Sequence, residues 1–318
     1  MTTTTYGRYT HGWPQAFGST AVPHHRSPVY RSVVQLPALQ EAAAAIEEGR
    51  PVGPSAQHIA DLLAPGSSMG GARPKAVVED DSGLWIAKFP MSGDRWNNAP
   101  VEAAMLRLAS ACGIRVPETR IQRVAGKSIL LVRRFDRGRV DGGYHRHRMV
   151  SALTVLDAEE SAVARHSWSY VLLADELQRW SAEPTRDKTE LFRRVVFNGL
   201  ISNTDDHPRN HALIAPGRVW RLAPAYDLTP TPMHAIERRD LALTCGRYGR
   251  IARRDNMLSQ APRFGMSLED ANAVIDEIKQ VVGAEWRQLV RAAGGSDADV
   301  DAVERAFTYE GFEYTTGE

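Results

Sequence analysis

A chain of 318 residues exceeds what one hydrophobic core usually serves, so two lobes are expected. Apolar content of 43% and charged content of 24% are ordinary globular usage and exclude wholesale disorder, while a formal net charge of +1 leaves no global footprint for nucleic acid or a membrane surface. Cys112 and Cys245 lack metal-ligand spacing and suit a reducing cytosol better than a disulfide-stapled domain. No basic start leads into an apolar leader and no run reaches the length of a membrane span, so the expected location is cytoplasmic, without membrane contact.

Residues 1–32, rich in Thr, His, Pro and Gly without periodicity, read as an irregular arm. LPALQEAAAAIEEGR, from Leu36, is dominated by helix formers and closed by Pro51 and Gly53. A glycine-rich loop beginning at Gly66 then leads into a hairpin whose turn is Asp80-Asp81-Ser82-Gly83. Val101, Ala104, Met105, Leu108 and Ala109 fall at helical intervals before a stop at Gly113. VPETRIQRV and SILLVRRF are β-rich runs around a Gly126-Lys127 turn. Residues 33–140 therefore predict a lobe with a small antiparallel sheet, and the fold class is α+β. Beyond Gly142-Gly143, SALTVLDAEE, SWSYVLLADELQRW and KTELFRRVVFNGLI carry helical patterning, so 141–318 predict a mainly helical lobe. A short hairpin around Pro216-Gly217 interrupts it. Helical segments return in SLEDANAVIDEIKQVV, AEWRQLVRAA and SDADVDAVERAFTYE, with Ser267 and Ser296 as N-caps.

The densest cluster of ionisable and amide groups is NTDDHPRNHALI, residues 203–214, between an apolar helix and a short strand. Phosphoryl transfer needs a carboxylate to receive the attacking hydroxyl's proton and oxygen ligands for magnesium, and Asp205 with Asn210 five positions later supplies both. That spacing matches the catalytic loop of protein kinases. Asp227 follows the short hairpin and is positioned to bring a second metal-binding carboxylate to the same ion. In the first lobe, Lys88 on the strand LWIAKFP is placed like a strand lysine that contacts the α and β phosphates of ATP, and Glu102 on the next helix is placed to orient it. The loop from Gly66 through Gly70, Gly71 and Ala72 to Lys75 offers mobile amides and, in Arg73 and Lys75, two cations above the phosphates. Lacking Gly-Lys-Ser/Thr, it is not a Walker A loop.

Taken in order, GGARPKA, WIAKFP, LLVRRFDR, SNTDDHPRNHALI and LAPAYDLTPT resemble the HipA family of kinase toxins from bacterial toxin–antitoxin systems, over roughly residues 60–235. The resemblance implies a bilobal protein-kinase-like fold, ATP and Mg2+ as cofactors, and Ser/Thr phosphorylation of a cellular protein such as an aminoacyl-tRNA synthetase, with growth inhibition as the outcome. It makes Asp205 the catalytic base, Asn210 and Asp227 the magnesium ligands and Lys88 the phosphate-binding lysine. It also places adenine against the hinge backbone of Arg133 and Phe135, the ribose near Asp136, His207 beside the nucleotide, and an inhibitory autophosphorylation at Ser67 or Ser68. The implied partners are a HipB-like DNA-binding antitoxin, through which any DNA contact would run, and a third HipS-like component, because the length resembles the short kinases of three-component systems. Two departures stand out: Tyr226-Asp227-Leu228 replaces Asp-Phe-Gly, and Asn203-Thr204-Asp205 replaces His-Arg-Asp, without the regulatory arginine.

Each residue also has a plainer reading. Asp205 alone could cap a turn, Asp206 could be a solvated acid and Glu102 a surface charge. Asp206, His207 and His211 together raise a metallohydrolase, although His207 more naturally braces the loop by hydrogen bonding. A small-molecule kinase and a catalytically silent antitoxin-binding module are the rival functions.

Overall fold

The computed structural model describes residues 31–50, 73–161, 163–307 and 309–316. Gly66, Ser67, Ser68, Gly70, Gly71 and Ala72 of the glycine-rich loop, and nearly all of the N-terminal arm, lie outside the described residues.

A five-stranded sheet in the order β1-β2-β3-β5-β4 forms the first lobe, from β1 (Arg31–Ser32), β2 (Lys75–Asp80), β3 (Gly83–Lys88), β4 (Thr119–Val124) and β5 (Lys127–Arg133). β1 is parallel to β2 and the other pairs are antiparallel. Asp80 closes the β2–β3 turn: its Oδ1 accepts from the Ser82 amide at 2.9 Å, the Ser82 hydroxyl at 2.6 Å and the Trp85 indole at 2.9 Å. The β4–β5 turn falls one residue earlier than its expected position. Ala125 and Gly126 take φ of 47° and 79°, the paired left-handed geometry of a two-residue hairpin, which frees Lys127 to start β5.

β5 is buried on both faces, and the period of two divides its side chains. Ile129 and Leu131 join a core with Val78, Trp85, Ala87 and helix α1 (Leu36–Glu47), while Leu130 and Val132 face helix α2 (Asn98–Ala111). α2 belongs to the larger core, which runs without a break into the second lobe. That continuity anchors Glu102, on α2, to both lobes.

The second lobe contains α3 (Tyr170–Trp180), α4 (Pro184–Leu200), α5 (Leu268–Ala292) and α6 (Asp297–Phe307). It also holds a three-stranded sheet, β8 (Arg148–Ser151), β9 (Ala212–Ala215) and β10 (Arg221–Leu222), in the order β10-β9-β8. Between the lobes, β6 (Arg137–Val140) and β7 (Gly143–Arg146) pair as a ribbon that the sequence patterning did not signal. SALTVLDAEE yields only the single turn Ala152–Val155, which Ser151 caps and Asp157, at φ 49°, follows. By contrast, α5 runs unbroken for 25 residues through Gly283, where two segments were expected. Its stripe of Ala271, Val274, Ile275, Ile278, Val282, Trp286 and Val290 packs into the core, and that packing outweighs the roughly 1 kcal/mol that one glycine costs a helix. Ser267 and Ser296 cap α5 and α6 as expected, accepting from the Asp270 and Asp299 amides at 3.0 and 3.2 Å. Burial pushes both cysteine thiols up to about 12, which leaves neither a ready nucleophile. No helix among the described residues is long and apolar enough to cross a membrane.

The acidic face of α4 holds the strand that leads to Asp227. Asp187, 1% exposed, accepts from the Leu222 amide at 2.7 Å and the Ser181 hydroxyl at 2.6 Å, and pairs with Arg115 at 2.7 Å. Arg194 donates to the Ala223 carbonyl at 2.6 Å and pairs with Glu190. Asp187→Ala strands a buried amide and hydroxyl, so chemical denaturation should show a loss of about 3 kcal/mol.

Candidate functional site

Lys88 ends β3, opposite Lys75 in the β2–β3 ladder, and its ammonium lies between two carboxylates. Nζ is 2.5 Å from Oε1 of Glu102 on α2 and also contacts Oδ1 of Asp227, which arrives from the other lobe on the loop after β10. Glu102 is 8% exposed, so it is no surface charge. Burial disfavours the ammonium, but Asp227 and Glu102 together outweigh that cost and hold Lys88 above the ordinary lysine range. Burial likewise raises Glu102, with Lys88 opposing. Asp227 goes the other way: Lys88 and Lys75 overcome its partial burial and hold its carboxyl below the usual range. Lys75 is lowered by burial and by its cationic neighbour Lys88, against the pull of Asp227 and Glu102. Asp227 has φ of 56°, an uncommon backbone for a residue with a Cβ, and it turns the chain at this point.

Asp205 sits on the loop that leaves α4. Its carboxylate is exposed and has no hydrogen-bond or ion-pair partner among the described residues, whereas its carbonyl accepts from the His207 amide at 2.8 Å and from Asn210 Nδ2 at 3.3 Å. Asn210 closes a short 3-10 turn, Pro208–Asn210. Adjacent Asp206 is the reverse case. It is 1% exposed, which overturns its reading as a solvated acid. Its Oδ2 accepts from the Tyr170 hydroxyl, from Asn198 Nδ2 at 2.8 Å and lies 2.6 Å from His211 Nε2, tying the loop to α3, α4 and the start of β9. The side chain of His207 does not brace the loop as expected: its Nδ1 is buried without a hydrogen-bond partner, and the bracing falls to Asp206 and His211. No trio of His, Cys, Asp or Glu among the described residues forms a metal cluster, so Asp206, His207 and His211 give the metallohydrolase reading no support.

The two loops are laced together. Tyr226 donates its hydroxyl to the Arg209 carbonyl at 2.7 Å, and the Thr231 amide donates to the Ser202 carbonyl at 3.2 Å. The Phe135 ring packs on Ala212, Ile214 and Ala223, with its centroid 5.9 Å from that of Tyr226. Phe135 therefore adjoins the loop that carries Asp227. Arg133 stands three ladder positions from Lys88's partner Leu130; its amide donates to the Glu118 carbonyl at 2.9 Å and its guanidinium to the Ser82 carbonyl at 2.8 Å. Asp136 is paired with Arg134 at 2.6 Å and Arg137 at 2.5 Å, and these arginines overcome its burial to hold its carboxyl below the usual range. The exposed pair between Arg209 and Glu160, at 2.5 Å, is a further contact of the Asp205 loop.

The structure thus brings Lys88, Glu102, Lys75 and Asp227 into one charged cluster and laces the Asp227 loop to the loop of Asp205 and Asn210. Sequence reasoning missed the Tyr170–Asn198–Asp206–His211 cluster, and its one available signal was Asn198 within the apolar run VVFNGLI. Neighbouring aspartates should respond oppositely to truncation. Asp206→Ala strands three donors at about 1 kcal/mol each, hence about 3 kcal/mol, whereas Asp205→Ala removes an unpaired surface group and should stay within about 0.5 kcal/mol. Urea denaturation of both variants measures the difference.

Comparison with known proteins identifies the family and the fold. The profile of the HipA-like C-terminal domain matches residues 67–286, more than half of the chain. Two relatives from Sinorhizobium fredii, named "Putative kinase Y4mE" and "Putative kinase Y4dM", are 28% identical over 173 residues and 27% identical over 240 residues, covering 54% and 69% of this chain. These matches span 40% and 56% of the relatives, so the chain spans about half the length of the curated relatives it matches. Among solved structures, HipA from the Shewanella oneidensis toxin–antitoxin complex of HipA, HipB and operator DNA aligns with a TM-score of 0.60 at 17% identity, covering 81% of this chain and 69% of that one. The two-lobed α+β architecture is a HipA-like kinase fold, and the chain belongs to the HipA-like C-terminal domain family.

Proposed function

We propose that the protein is an ATP- and Mg2+-dependent protein serine/threonine kinase that acts as the toxin of a toxin–antitoxin system. The observation that carries this reading is the convergence of Lys88, Glu102 and Asp227 from two lobes, with the Asp227 loop laced to the loop of Asp205 and Asn210. A strand lysine held by a helix glutamate, a catalytic aspartate followed five residues later by an asparagine, and a second aspartate after a hairpin are the parts phosphoryl transfer uses. The donor set fits magnesium: Asp227 carboxylate and Asn210 amide oxygens are hard ligands, and Mg2+ typically takes one or two such groups with the substrate's phosphates. Asn210 and Asp227 would hold it, and when bound it supplies neutralisation of charge on the transferring phosphoryl group.

The chain's own residues divide the remaining work. Lys88, kept cationic by its two carboxylates, binds the α and β phosphates of ATP, and Glu102 keeps its side chain aimed. Asp205, exposed and unpaired, orients the acceptor hydroxyl and receives its proton. Phe135 and the hinge backbone flank adenine, with Arg133 contributing through its carbonyl because its amide is committed to Glu118. Asp136 approaches the ribose from a position already shared with two arginines. Lys75, His207 and the amides of Gly70, Gly71 and Ala72 complete the phosphate side, and Ser67 or Ser68 on the same loop is the site of inhibitory autophosphorylation. The similarity to a HipA that assembles with HipB and operator DNA supports a HipB-like antitoxin as partner, with DNA contact running through it.

The test is incubation of the purified protein with γ-labelled ATP and bacterial lysate, beside Asp205→Ala. Wild type should label protein at Ser or Thr, and the variant should fall by about 10²–10⁴-fold while staying folded. Near wild-type labelling by the variant would remove Asp205 from the mechanism, and label confined to small molecules would move the acceptor class.

A further inference from the structure

Arg239 is one of the largest fully buried side chains, 2% exposed, yet no carboxylate pairs with it among the described residues. Its partners are neutral oxygens. Nε donates to the Ala235 carbonyl at 2.9 Å, Nη1 to the Ser202 hydroxyl at 2.5 Å and the Ala306 carbonyl at 3.0 Å, and Nη2 to the carbonyls of Met233 at 3.2 Å and Arg305 at 2.8 Å. A guanidinium has five N–H donors, and here five acceptors receive them. The Tyr309 ring lies under the group at 4.8 Å, and its hydroxyl accepts from the Arg239 amide at 3.0 Å.

A buried cation without an opposite charge is costly, and the fold supplies a substitute. Arg305 and Ala306 are in the last turn of α6, where carbonyls lack intrahelical partners and the helix carries partial negative charge. The other acceptors lie on the segments that flank Asp205 and Asp227. Ser202 lies three residues before Asp205 and has φ of 53°, an uncommon backbone for serine; its hydroxyl also donates to the Ala306 carbonyl at 2.7 Å. Met233 and Ala235 lie on the stretch that leaves Asp227, and Ser202 accepts from Thr231 on that same stretch. One guanidinium therefore joins the approach to Asp205 and Asn210, the exit from Asp227, and the end of α6.

We infer that Arg239 is a positioning residue that sets the Asp205–Asn210 loop against the Asp227 loop, using the C-terminus of α6 as its counter-charge. The inference rests on the kinase reading above. Arg239 is too enclosed to touch substrate; it acts through Ser202 and through the segment 233–235. A residue that only filled the core would affect stability alone, whereas a residue that sets two ligand-bearing loops against each other also controls how tightly their metal is held.

Arg239→Lys separates these roles, because lysine keeps the charge but has three donors in place of five. The experiment is a Mg2+ titration of phosphoryl transfer at fixed ATP, with thermal unfolding recorded on the same preparations. In folded Arg239→Lys, half-saturation should need about tenfold more Mg2+ than in wild type, the scale on which supporting contacts act on metal sites. Wild-type Mg2+ dependence in folded Arg239→Lys overturns the inference. If that variant does not fold, Ser202→Ala, which removes the hydroxyl that joins Arg239 and the Ala306 carbonyl to the Asp205 loop, should shift the Mg2+ dependence in the same direction, and no shift overturns the inference. A wild-type protein with no Mg2+-dependent transfer overturns the kinase reading and this inference together; an active wild type beside unshifted variants overturns this inference alone.

Discussion

The ammonium of Lys88, shared by Glu102 and Asp227, is the contact on which the rest of the site depends. Taking three charged groups partly out of water is expensive, and their mutual attraction repays it only when the geometry is good. Glu102 is fixed because α2 is packed into the larger core, Lys88 because β3 lies between β2 and β5, and Asp227 because the strand before it is held by the buried acids of α4. The proposed ligand, with several negative charges and a divalent cation, would meet a cation and a carboxylate side by side in this cluster. The two carboxylates explain why Lys88 remains protonated despite burial, whereas burial shifts the neighbouring Lys75 the opposite way.

Support for the reactive loop is built from a different kind of contact. Asp206 places one carboxylate oxygen at the meeting point of Tyr170, Asn198 and His211, so that a single buried acid fixes the residue that precedes it in solvent. Such networks are worth more inside a protein than at its surface, because the local dielectric is low and an unmet partner is costly. The pairing of an exposed Asp205 with a buried Asp206 divides the proposed chemistry from architecture within two consecutive residues. Arg239 also meets this loop, at Ser202, where neutral oxygens and a helix end replace the carboxylate.

Much of this was legible in the chain. The Asp80-Asp81-Ser82-Gly83 turn, the placement of Lys88 at the end of a strand, the helix bearing Glu102, and the Asp205–Asn210 spacing are local signals, and each has its expected position in the structure. What escaped was set by distant partners. The β6–β7 ribbon is charged and glycine-rich, so nothing in its own pattern marks two strands. Gly283 lies within a helix that tertiary packing carries past it. Asp206 resembles any loop aspartate until Tyr170, thirty-six positions away, is brought to it, and Arg239 resembles a surface arginine until α6 closes over it. HipA-like membership rests on the family profile that matches residues 67–286, whereas the roles proposed for individual residues rest on their chemistry in this cluster.

Calorimetric titration of ATP into the protein with and without Mg2+, repeated with Asp227→Ala, tests the central claim most directly. The account predicts nucleotide binding that strengthens with Mg2+ in wild type, and loss of that Mg2+-dependent gain in a variant that keeps its fold, because the role proposed for Asp227 is coordination rather than packing. Unchanged Mg-ATP affinity in folded Asp227→Ala would contradict it.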